Sequence, residues 1–225
     1  MAQVLVCLHG LGRSPSDWNG VRGSLAEFGE VVTPELPRDV KRAQRIAAAS
    51  TPDGAIVVGH SMGAIIALMM AAERGMAIRG IVASSPFFPP ALNGRSLPAA
   101  IGDYVGHRVA FLRRRRNNQM ATLGTGGVRG LGFLVRTAAH PSEFRAKTDA
   151  VMSAVLIVHA ADDHYVPLDF ALAAAGAHPA WQSVVLPAGG HYPHVSDPAD
   201  WVTAIDPWLT RLTGRSGGGY PETRG

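Results

Sequence analysis

"IVVGHSMGAIIA", residues 56–67, sets a serine between two glycines where a β-branched run gives way to an alanine-rich apolar one. The first run reads as a buried strand and the second as a helix, so Ser61 stands on a strand-to-helix turn. GxSxG by itself is weak in a chain with 26 glycines, and the setting carries the meaning. Gly59 and Gly63 remove side chains that would collide across so tight a turn. The serine can then hold a strained backbone that lifts its hydroxyl clear, beside the first N–H groups of the helix.

Outward from this turn, strand and helix patterns alternate. "QVLVCL", "EVVTPEL", "AIVVG" and "IRGIVASS" read as strands, and "DVKRAQRIAAAS" and "MGAIIALMMAAERG" as helices. Such alternation predicts an α/β fold with a mostly parallel sheet flanked by helices. The rhythm stops after Pro86 and resumes with the strand "SAVLIVHA", the helix "DFALAAAG" and the strand "SVVLP". It closes on "DPADWVTAIDPWLTRL", where Trp201, Ile205, Trp208 and Leu212 share one helical face.

At 225 residues and 47% hydrophobic, the chain suits one substantial core with an insertion. No apolar run approaches the roughly 20 residues of a membrane span. "MAQVLVCLHG" lacks a basic n-region and a cleavage site, which predicts a cytoplasmic protein. The single cysteine, Cys7 in "VLVCL", excludes an internal disulfide and reads as core. A net charge of +4 says little about partners. Arg113, Arg114, Arg115 and Arg116 read as a solvated helix face, and no aromatics interleave with them as nucleic-acid binding would require.

A serine nucleophile needs a base, and the base needs an orienting carboxylate. "VLIVHAADDHYVP" ends a strand with Asp162 and Asp163, and "SVVLPAGGHYPH" ends the next with His191. All three residue types thus follow the C-terminal ends of strands, where open parallel sheets bind ligands. "CLHGLGRSP" after the first strand supplies the last requirement, since the N–H of Leu11 can join that of Met62 as an oxyanion site.

These residues resemble the α/β-hydrolase superfamily from Gln3 to about Leu212. "LHGLG" is similar to its oxyanion loop, "GHSMG" to its nucleophile turn, "HAADDHYVP" to its acid loop and "AGGHYP" to its histidine loop. The resemblance implies a catalytic triad of Ser61, Asp163 and His191, with Asp162 as a neighbour of the acid. Ala160 departs from the glycine common in the acid loop. It further implies a hydrolase core at 1–86 and 151–213, an inserted cap or lid at 87–150 and, beyond them, a disordered tail at 214–225. The early first strand implies a sheet trimmed at its N-terminal edge. The expected reaction is acyl-enzyme hydrolysis of a small or medium carboxylic ester, with no metal or organic cofactor. Thioesters and lactones stay open, as does an acyl group on a carrier protein drawn in by Arg113–Arg116.

Other histidines have quieter readings. His60 is expected to pack, His9 to hydrogen-bond loop backbone, Trp18 to pack a loop, and His194 to lack the helical spacing of a metal pair. Two rival functions remain. "HAADDH", residues 159–164, partly matches the HxHxDH motif of metallo-β-lactamase-like hydrolases, but Ala161 replaces a ligand. A catalytically idle hydrolase fold could also serve as a binding module.

Overall fold

A computed structural model describes residues 2–73, 77–88 and 141–215. The β-branched runs form β1 (Val4–Leu8), β2 (Glu30–Val32), β3 (Ile56–His60), β4 (Gly80–Ser84), β5 (Ala154–Ala160) and β6 (Trp181–Leu186). They make one six-stranded sheet in the order β2-β1-β3-β4-β5-β6, parallel throughout. The chain leaves β1 for one edge and returns on its other side, so the direction of winding reverses between β1 and β3. Ligand sites of open α/β sheets form at the C-terminal edge of such a reversal. "EVVTPEL" is strand only over Glu30–Val32, at the edge.

Helices cover both faces: α1 (Arg22–Ala26), α2 (Val40–Ala49), α3 (Met62–Ala72), α4 (Pro141–Asp149), α5 (Leu168–Ala177), α6 (Pro193–Ser196) and α7 (Pro198–Thr213), with a 3-10 turn at Pro15–Trp18. Strand residues alternate between two cores. Val6, Val57, Ile81, Val155 and Ile157 face α2, α3, α4 and α5. Leu5, Ile56, Val58, Val82 and Leu156 face Trp18, α1 and α7. Burial on both faces is why these strands are continuously apolar rather than alternating.

Local chemistry sets the helix ends. Asp39 caps α2 by accepting the Arg42 N–H at 2.8 Å, and α7 closes on Gly214 in the left-handed conformation at φ 70°. The face read for α7 is correct: Trp201, Ile205 and Trp208 are buried, with Leu212 packed beside them.

Two boundaries differ from expectation. Residues 141–149, assigned to the insertion, form α4, whose Phe144 is buried in the same core as Phe88, at a ring distance of 6.2 Å. Both ends of the segment 87–150 therefore pack as core, and its remainder, Arg113–Arg116 included, lies outside the described residues. Arg215, assigned to the tail, bonds the Glu27 carbonyl and lies over the Phe28 ring at 4.9 Å. Residues 216–225 lie outside the description. Among the described residues no helix is long and apolar enough to cross a membrane.

Candidate active site

The turn that carries Ser61 is strained in the way its glycines predict. Ser61 adopts φ 51° and ψ −112°, a region non-glycine residues rarely occupy; holding it costs of order 1–3 kcal/mol. Surrounding contacts fix it there. The Ser61 N–H donates to the Ser84 carbonyl of β4 at 2.9 Å, and its own carbonyl accepts from Ala64 at 3.1 Å. A Cβ on Gly59 would lie 2.5 Å from the Ala64 backbone, and one on Gly63 would run into the Leu8 carbonyl. The turn closes only because both positions lack side chains.

The structure brings Ser61, His191 and Asp163 together from three separate strand ends. Ser61 Oγ lies 3.2 Å from His191 Nε2, and His191 Nδ1 lies 2.9 Å from Asp163 Oδ2. A carboxylate only accepts, so Nδ1 carries the proton and Nε2 is left to accept from the serine hydroxyl. Asp163 is buried. Burial pushes its carboxyl up, but hydrogen bonds from His159 and His191 outweigh this and hold it well below the usual carboxylate range. Its Oδ1 also accepts the N–H groups of Tyr165 at 2.8 Å and Val166 at 3.0 Å.

Asp162, one residue earlier, does different work. Its Oδ1 accepts the Gly190 N–H at 2.8 Å, tying the acid loop to the histidine loop. His60 packs as expected and also donates from Nε2 to the His191 carbonyl at 2.7 Å, which fixes the His191 backbone. Burial first, then the neighbouring histidines, drives its pKa well below the ordinary value, so it supports the site as an uncharged ring.

Met62 follows the serine in the chain, and the loop that carries Leu11 approaches it through Gly10. Met62 is the first residue of α3 and its N–H is one of the helix's unpaired first-turn donors. The Leu11 loop reaches the same place: a Cβ on Gly10 would lie 2.8 Å from His60 Nδ1 and 3.5 Å from Ser61 Cβ. His9 holds this loop as expected, with Nδ1 donating to the Gly10 carbonyl and Nε2 accepting the Leu36 N–H, both at 2.9 Å. Arg13 bridges it to the histidine loop, forking onto Asp17 at 2.6 and 2.7 Å and lying 4.9 Å over the Tyr192 ring.

Trp18 is fully buried and stacks on His194 at 4.5 Å. Cys7 is buried, and that burial pushes its thiol up to about 12, which leaves it unreactive. Of the 159–164 motif, His159 bonds Asp163 rather than standing with other ligands. Among the described residues no three His, Cys, Asp or Glu side chains group as a metal ion would require.

The model of the alpha/beta hydrolase family matches residues 5–205. This chain belongs to that family. A pimeloyl-[acyl-carrier protein] methyl ester esterase from Aromatoleum aromaticum is 28% identical over 241 aligned positions, covering 90% of this chain and 96% of the relative. A carboxylesterase structure from Nitrososphaera gargenis superposes with a TM-score of 0.68 at 18% identity, covering 96% of this chain and 92% of the other. The thioesterase domain of the curacin biosynthetic pathway gives 0.62 at 19% identity, covering 91% of each. Family membership makes the chain an α/β hydrolase.

Proposed function

We propose that the chain is a serine hydrolase that cleaves a small or medium carboxylic ester through an acyl-enzyme. The observation that carries this reading is the hydrogen-bonded line from Ser61 through His191 to Asp163, mounted on a strained strand-to-helix turn. As Ser61 Oγ attacks the ester carbonyl, its proton passes to His191 Nε2 and the carbonyl π electrons move onto oxygen. The N–H groups of Leu11 and Met62 stabilise that oxyanion, and Asp163 stabilises the imidazolium. Collapse breaks the ester C–O bond, and His191 returns the proton to the departing alkoxide. Water then attacks the acyl-serine with His191 as base, releasing the acid and restoring Ser61. The groups named here supply every proton transfer in the cycle.

The relative that acts on a pimeloyl-[acyl-carrier protein] methyl ester supports a second reading, in which the acyl chain is presented on a carrier. The ester is still the bond that breaks, and the carrier holds the other end.

A fluorophosphonate should add one adduct, located at Ser61 by peptide mass and absent from Ser61→Ala, which should also lose ester turnover. Labelling of another serine would end the nucleophile assignment. Equal kcat/KM for a free monomethyl diester and its carrier-linked counterpart would end the carrier reading alone.

A further inference from the structure

His159 is the residue of the "HAADDH" stretch that the chemistry above leaves over. It lies near the end of β5, buried, with Nε2 3.0 Å from the Val166 carbonyl oxygen and 3.3 Å from Asp163 Oδ2. Oδ2 is the same oxygen that accepts from His191 Nδ1 at 2.9 Å. Carbonyl and carboxylate oxygens only accept here, so Nε2 carries a proton shared between them. Val166 completes a closed ring: its N–H donates to Asp163 Oδ1 and its carbonyl accepts from His159.

We propose that His159 is a positioning residue of the relay, a second imidazole donor on Asp163 Oδ2 that fixes the carboxylate against His191 and limits its pull on the His191 proton. The proposal rests on the Ser61–His191–Asp163 reading. An anionic oxygen shared by two donors presents less charge to each than one held by a single donor. Without His159 the whole attraction falls on the His191 N–H, and the acid limb of Ser61 reactivity moves to higher pH. The Val166 N–H and carbonyl fix Oδ1 and the His159 proton from one residue, so the imidazole and the carboxylate are held in one register. The other groups around His191 are Ser61 and the rings of His60 and Tyr192, both at 5.0 Å, and of Tyr165 at 5.3 Å. His194 lies behind His60 at 4.7 Å, and the Arg13–Asp17 pair lies over Tyr192. Around Asp163 stand His159, His191 and the two backbone donors.

The test follows the rate of fluorophosphonate labelling of Ser61 against pH, which needs no knowledge of the substrate. It compares the native protein with His159→Phe, which keeps a flat ring and removes the donor, and His159→Gln, whose amide nitrogen reaches a similar place and donates. In His159→Phe the midpoint of the acid limb should rise by roughly half a unit or more and the plateau rate should fall several-fold. His159→Gln should return most of the midpoint shift. A merely structural role would lower the melting temperature and leave the limb in place. The role is overturned by a native limb in a folded His159→Phe, or by a shift in His159→Gln as large as in His159→Phe. Should His159→Phe not fold, nitrogen NMR of the native imidazole decides: a proton on Nε2 of His159 supports the role, and one on Nδ1 alone ends it. Absence of any Ser61 adduct in the native protein defeats the hydrolase reading and this role with it, whereas a normal adduct with identical limbs defeats only the role.

Discussion

Replacing His194 by phenylalanine should make the protein resistant to mild acid. His194 is fully buried, stacked on Trp18 at 4.5 Å and tilted against Trp201 at 5.9 Å, and neither ring nitrogen has a hydrogen-bond partner among the described residues. Burial lowers its pKa from 6.5 to about 4; the Arg13 and His191 charges act in the same direction, and Asp17 opposes them. Between those two pH values the unfolded chain binds a proton that the folded chain refuses. Stability therefore falls as pH falls through the window. The shift corresponds to about 3 kcal/mol by pH 4, a large part of the roughly 5–15 kcal/mol that holds a domain together.

His60 adds a penalty of the same sign, because its pKa also lies well below the ordinary value. Asp163 acts lower on the scale. Its depressed pKa contributes stability above the carboxylate's unfolded value and loses it only as pH falls further. The window from pH 6.5 to 4 thus isolates the buried histidines. Phenylalanine keeps the stacking surface and has nothing to protonate, so the gap in unfolding free energy between variant and native protein should widen by about 3 kcal/mol from pH 7 to pH 4. Urea unfolding at several pH values measures this, with a common slope showing that the unfolded states are alike. The gap at pH 7 contains the packing change and the loss of two unpaired nitrogens. Its widening contains the His194 proton together with the relief of His60 once the neighbouring imidazole is gone, both of the same sign. Parallel stability curves across the window would refute the reasoning.

The parts of this molecule that were legible in the sequence are those whose physics is local. Ser61 was readable because strand, glycine, serine and glycine are contiguous, and the clash that makes Gly63 necessary involves the neighbouring strand end at Leu8. The α7 face was readable from the spacing of Trp201, Ile205 and Trp208. Where one apolar residue does the work, the pattern vanishes: α4 carries only Phe144 into the core, and α1 and the Pro15–Trp18 turn are too short for a period to appear. His194 was unreadable for another reason. Its neighbours Trp18 and His60 come from distant segments and Trp201 from the helix that follows, and nothing in its own surroundings in the chain marks it as buried. His159 was legible only as a fragment of a metal motif. Its four-residue spacing to Asp163 across the end of β5 was the available signal, and it requires knowing first that Asp163 is the acid.

Gly63→Ala should cost about 2–3 kcal/mol, the upper part of the overpacking range, because the obstructing atoms are the Leu8 and His9 backbone. Ser61 labelling should slow with it as Met62 is pushed away. Gly176→Ala, which meets nothing within 4 Å inside α5, serves as the control and should gain up to about 1 kcal/mol in thermal unfolding. The paired carboxylates separate by partner. In Asp163→Asn the amide oxygen stays with the Tyr165 and Val166 N–H groups, which turns the NH₂ toward His191 Nδ1. Nδ1 must then become the acceptor and Nε2 the donor, so the ring can no longer take the Ser61 proton, and kcat should fall about 10⁴-fold. Asp162→Asn retains an oxygen for the Gly190 N–H, so its loss should be at most a few-fold. Asp162→Ala removes that tie and should fall roughly tenfold, a net hydrogen bond's worth of positioning. Steady-state kinetics on any ester turned over by the native protein distinguishes these outcomes. Equal losses in the two asparagine variants would mean that both carboxylates serve His191. A greater loss at Asp162 would transfer the acid's role to it, and the geometry drawn here would have to be wrong at His191 itself.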